Sequence, residues 1–146
     1  MRRVPWIAAV LIVILAACAQ VEPVLLQVTM PDCTYMGETS IEEGEISLSL
    51  RLNGLADAGV LVAELSGEHA YGDLATHVEE ISDELADLPT WAETVVDLRL
   101  SDSEGIDGVE RSARLSEGDY AVICVDYPYD QGPPLVRLAA PLTVED

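Results

Sequence analysis

"EISLSLRL", residues 45–52, decides the fold. Ile46, Leu48, Leu50 and Leu52 alternate with Ser47, Ser49 and Arg51. Successive side chains of a strand point to opposite faces, so this spacing gives one apolar and one polar face. Working outward, "VLLQVTM" (24–30) precedes it and stops at Pro31. "GVLVAEL" (59–65), "TVVDLRL" (94–100), "VERSARL" (109–115), "DYAVICVD" (119–126) and "LVRLAAPLTV" (135–144) follow. Turn signals separate most of them, among them "NG" (53–54), "EGIDG" (104–108) and "EGD" (117–119). Seven short strands at this spacing predict an all-β, antiparallel sandwich.

One segment changes period. Leu74, Val78, Ile81, Leu85 and Leu88 recur at alternating gaps of four and three, the apolar stripe of a helix. Glu79, Glu80, Asp83, Glu84 and Asp87 fall on its other faces, as a solvated surface. Asp73 suits the start and Pro89 forces an end, so an inserted helix is expected over 73–88, covering one end of the sandwich.

The chain begins with Arg2 and Arg3 and then an uncharged apolar run, Trp6 to Ala17. A membrane-spanning helix needs about 20 such residues. The shorter run, with its positive start and small residues at its end, predicts a secretory signal over 1–17. It closes on Leu15-Ala16-Ala17-Cys18, which resembles the lipobox of bacterial lipoproteins. The resemblance implies cleavage before Cys18 and a lipid on its sulfur, with residues 18–23 as a tether and 24–146 as the domain. Each buried acyl methylene adds about 0.8 kcal/mol of membrane affinity, so several chains anchor firmly.

The basic residues are all arginine, and two of the seven lie in the signal, which has no acid. Five then face 27 carboxylates, a formal charge of −22. Phosphate binding requires a basic surface, so nucleic acid is excluded as a partner. An anionic membrane would also repel the domain that is tethered to it.

With Cys18 taken by lipid, Cys33 and Cys124 remain as one pair in an exported, oxidising setting. They stand 91 residues apart. A bridge there contributes about 4–5 kcal/mol in the chain-entropy treatment. A thiolate at Cys124 would need a nearby cation or base, and the neighbouring Asp126 and Asp130 act the other way. A disulfide is expected, with a free thiol or a metal contact as the alternatives.

Taken in order, "DCTYMGE", "GEISLSLRLN", "YGDL", "LPTW" and "LSEGDYAVICVDYP" resemble the cupredoxin-like domains of exported bacterial lipoproteins. The resemblance runs over about residues 26–145 and implies a Greek-key β-sandwich of about seven strands with one inserted α-helix. The stretch from Gly118 to Cys124 is similar to the last strand of copper-carrying members. Blue copper requires two imidazoles and a thiolate. In those members one histidine follows the asparagine-ended strand, and another follows the cysteine with a methionine close behind. Here neither the residues after Asn53 nor those after Cys124 supply them. His69 and His77 fall on or beside the helix, about two turns apart, and are expected to be exposed polar residues. Met30 and Met36, near Cys33, bring no imidazole with them. No copper, and no other cofactor, is expected.

Catalytic patterns are missing too. No glycine-framed serine stands at a strand-to-helix turn, and there is no glycine-rich phosphate loop. Asp102, Glu104 and Asp107 lie in "SDSEGIDGVE" (101–110), which lacks calcium-loop spacing. They suit at most a weak calcium contact and otherwise form an acidic hairpin loop. Tyr127 and Tyr129 bracket Pro128 in "DYPYDQGPP", either as a recognition loop for an unknown protein or small molecule or as packing over the sandwich end. The expectation is a lipid-anchored extracytoplasmic binding or structural module that is not an enzyme. The alternative is weak capture or delivery of copper or calcium by the acidic surface.

Overall fold

The computed structural model describes residues 22–54, 57–80, 88–101, 108–128 and 134–146. Seven of its strands are those the alternation predicts: β1 (Val24–Met30), β4 (Gly44–Leu52), β5 (Asp57–Leu65), β6 (Ala92–Ser101), β7 (Gly108–Leu115), β8 (Gly118–Tyr127) and β9 (Leu135–Glu145). Two short ones are added, β2 (Thr34–Met36) and β3 (Ser40–Glu42). Three residues are too few to carry a visible alternation. The single described helix is α1 (Tyr71–Glu80); the expected continuation over 81–87 lies outside the described residues.

One sheet runs β2-β1-β4-β7 and the other β3-β9-β8-β5-β6. The protein is an all-β sandwich with one inserted helix. The sheets are mixed, which corrects the expected all-antiparallel pairing. β1 pairs parallel with β4 over Val24–Met30, and β3 pairs parallel with β9. The reason lies in residues 31–43. The chain turns back as β2, crosses to the other sheet as β3, and returns to begin β4 beside the start of β1. Alternation reports which face a residue occupies, not the direction of the neighbouring strand.

Leu26, Val28 and Met30, Ile46, Leu48 and Leu50, Val60 and Val62, and Val122 and Cys124 fill the space between the sheets, all nearly inaccessible. Fully burying one such side chain contributes about 1.5–3 kcal/mol. On the open side Arg111 reaches from β7 to β6, donating to the Asp97 carbonyl at 2.7 Å.

A second apolar cluster lies outside the five-stranded sheet. Ala63, Ala92, Ala121 and Ile123 on the strands meet Leu74 of α1, with Val78, Tyr71 and Trp91 packed around them. The helix therefore covers part of an outer sheet face, not an end of the sandwich as expected. Small residues at 63 and 121 let the helix approach closely, and Leu74 fits fully into the gap.

Candidate functional site

Register places the ends of several elements together. Met30 is level with Leu52, Asp57 with Ser101 and Tyr127, and Asp126 with Leu135. The turn after β1 and the β4–β5, β6–β7 and β8–β9 connections thus leave from one end, here the bridge end. Val24, by contrast, is level with Ile46, at the opposite, entry end.

Cys33 and Cys124 are joined at the bridge end, Cα atoms 5.9 Å apart. Cys124 faces inward from β8 with no exposed surface, while Cys33 is only partly buried in the turn after β1. Cys33 takes a left-handed backbone, φ 54°, a conformation that costs a non-glycine residue free energy and needs surrounding contacts to hold it. One such contact is Arg137, which stands directly opposite Cys124 across β8 and β9. Its Nη2 donates to the Pro31 carbonyl and, at 2.6 Å, to the Asp126 carboxylate. One guanidinium thus ties the Cys33 turn to the strand that carries Cys124. The turn is also fixed to β4 by the Asn53 amide, which donates to the Met30 carbonyl at 2.8 Å.

Sulfur in a disulfide offers no thiolate to a metal or a substrate. Met30 is fully buried and Met36 is well exposed, so the two thioethers near Cys33 diverge. The imidazoles are elsewhere. His69 stacks on Trp91 with ring centroids 4.2 Å apart, and His77 meets the same indole edge-on at 6.5 Å. Trp91 precedes Ala92, which is level with Leu65 and through it with Asp119, five residues down β8 from Cys124. His69 is exposed, as expected of both histidines, whereas His77 is partly buried, its Nε2 buried without a hydrogen-bond partner. The two rings meet on one tryptophan. Their helical spacing carried no hint of this, because the shared surface belongs to a residue beyond the helix. Among the described residues no group of three or more His, Cys, Asp or Glu side chains assembles.

Tyr127 lies across Gly59, whose Cβ, if present, would stand 3.3 Å from its ring and 3.0 Å from the Leu98 carbonyl. Arg99 packs on the ring with its guanidinium carbon 3.9 Å from the centroid, a cation–π contact. The packing alternative for Tyr127 thus has a concrete basis. Tyr129 lies outside the described residues, as do Cys18, Asp102, Glu104 and Asp107. The described flank of the acidic loop shows Ser101 Oγ donating to Asp57 Oδ1.

Sequence reasoning missed Arg137. The signal was its scarcity: one of five arginines outside the N-terminal segment, placed on the inward face of a strand where an apolar residue is the default.

No protein-family model matches the chain, and no curated protein sequence matches it. Among solved structures it is similar to sodium-dithionite-reduced auracyanin from the photosynthetic bacterium Roseiflexus castenholzii, with a TM-score of 0.39 and 14% identity. The similarity covers 84% of this chain and 95% of that one. At that level of overlap the sandwich rests on its own sheets and register.

Proposed function

We propose that the protein is a lipid-anchored, extracytoplasmic module of cupredoxin-like type whose cysteine pair cross-links the fold and holds no metal. Its role is to bind a partner or to support structure, not to catalyse. The observation that carries this reading is the closed Cys33–Cys124 bridge with Cys124 fully buried. A sulfur spent in that way has neither the charge nor the access that electron-transfer copper or nucleophilic chemistry demands. Anchoring is supported by the Leu15-Ala16-Ala17-Cys18 motif, and by β1 beginning at Val24, a few residues after it. Because Val24 enters at the end opposite the bridge, a lipid on Cys18 would leave the loop-bearing bridge end turned away from the membrane.

The test is titration of the purified protein with Cu(I), Cu(II) and Ca²⁺, followed by calorimetry. The proposal expects only weak, non-saturating association with surface carboxylates. Stoichiometric, saturable binding of any of the three would replace it with capture or delivery of that metal. Intact mass with and without reductant reports the anchor separately: an acylated chain starting at Cys18 is expected, and an unmodified or uncleaved chain removes the membrane from the account.

A further inference from the structure

We propose that the Cys33–Cys124 bridge opens by thiol exchange at Cys33, and that Arg137 keeps the two half-cystines adjacent so that it recloses. The two sulfurs are not equivalent. Cys124 has no exposed surface, whereas Cys33 is partly buried and flanked by exposed Pro31, Asp32 and Thr34. An incoming thiolate must approach along the S–S axis, and only the Cys33 side offers solvent to approach from. In the exchange the incoming sulfur bonds to Cys33 Sγ and the Sγ–Sγ bond breaks. Cys124 leaves as a thiolate and takes a proton from water. With a dithiol donor, the second donor thiol then attacks its own sulfur in the mixed disulfide and releases Cys33. Two electrons and two protons pass from the dithiol to the bridge, and the donor departs as a disulfide.

What happens next depends on Arg137. Opening the bridge removes the covalent tie between the Cys33 turn and β8, but not the second tie beside it. Arg137 still holds the Pro31 carbonyl on one side and Asp126 on the other. The guanidinium fork is planar and suited to such two-sided bonding. It keeps the turn from swinging away once the left-handed Cys33 is free to relax. The reduced thiols therefore face each other at high effective concentration, and the bridge end behaves as a clasp, not a permanent rivet. Arg137 acts as a positioning residue and takes no part in electron transfer.

Cysteamine tests the first half. The folded, oxidised protein is exposed to it, quenched with acid and mapped by peptide mass, and the adduct is expected on Cys33. An adduct on Cys124, or none before denaturant is added, overturns the proposal. For the second half, the protein is reduced with dithiothreitol, desalted and reoxidised with cystamine, and reclosure is followed by intact mass. Arg137→Ala is expected to reclose about tenfold more slowly than the wild type, given the strength of charged hydrogen bonds. Arg137→Lys should fall between them, and it serves as the measurement if the alanine variant does not fold. Wild-type rates in either folded variant overturn the positioning role. Neither result touches the metal titration, so the anchored-module reading stands or falls separately.

Discussion

The two sheets differ most on their outer faces. On the four-stranded sheet, β4 turns Ser47, Ser49 and Arg51 outward. Ser47 and Ser49 are buried among neighbouring side chains, with Ser47 Oγ donating to Glu110, and among the described residues no helix lies over them. On the five-stranded sheet, β8 turns Ala121, Ile123 and Val125 outward, and Ala121 and Ile123 lie in the cluster built around Leu74 of α1. The inward residues of the two strands are alike. What differs is whether a second layer exists, and the sequence registers it as alternation in "ISLSLRL" and as an unbroken apolar run in "YAVICV". A strand packed against an apolar layer on one side only alternates; a strand with an apolar layer on both sides does not.

The bridge joins these two unlike sheets, so removing it is the most severe way to probe the difference. The Cys33→Ala/Cys124→Ala protein is expected to lose about 4–5 kcal/mol, because the closed loop is long. Urea unfolding followed by fluorescence checks this; an unchanged midpoint would mean the sheets hold together by packing alone. Next come the two apolar clusters. Leu48→Ala, between the sheets, should cost about 3–4 kcal/mol and lower the whole transition. Leu74→Ala, under the helix, should cost about 2–3 kcal/mol and remove helical circular dichroism before strand signal. A Leu74 variant that melts in one step with the strands would show that the helix layer has no independence.

The comparison sharpens at equivalent outward positions. Ile123→Ser places a hydroxyl beneath the helix and should cost about 2 kcal/mol or more. Ser49→Ala, on the face that has no described helix over it, removes one buried hydroxyl and should cost no more than about 1 kcal/mol. Equal costs at the two positions would erase the distinction between a face covered by an apolar helix and one covered by polar side chains.

Much of this architecture was legible. Every predicted strand forms, because one-sided or two-sided burial leaves a mark within seven or eight residues. The parallel pairing of β1 with β4 was not legible, since it depends on how residues 31–43 cross between sheets. Nor was the place of the helix, although "YAVICV" held the clue: Ile123 could not stay apolar and outward without a cover. At the bridge end the cysteine pairing was expected from counting partners in the oxidising setting that the N-terminal motif implies. Arg137 was not, because its value comes from lying opposite Cys124 across a register that includes a bulge at Val122/Ile123.

A last contrast between the sheets concerns two phenols, one on each. Tyr35 on β2 donates to the Glu38 carbonyl at 2.6 Å, and its hydroxyl occupies the space a Cβ on Gly37 would need. Tyr120 on β8 donates to the Ser116 carbonyl at 2.9 Å. Burial raises both pKa values, assisted by Glu38 for Tyr35 and by Glu64 for Tyr120, and Tyr35 is pushed from 10.0 up to about 12. An unfolded chain gives up the Tyr35 proton near 10.0, while the folded chain keeps it to about 12. In that window the unfolded state binds fewer protons, so stability falls as pH rises; the contribution is whole below the lower value and gone above the upper one. Tyr35→Phe is therefore expected to cost about 1 kcal/mol near neutrality, from the lost hydrogen bond. It should also flatten part of the alkaline decline, leaving the share due to Tyr120. Denaturant midpoints measured from neutral to strongly alkaline pH decide it. If the variant declines as steeply as the wild type, the Tyr35 phenol ionises as freely when folded as when unfolded. The narrow β2 edge would then shelter nothing.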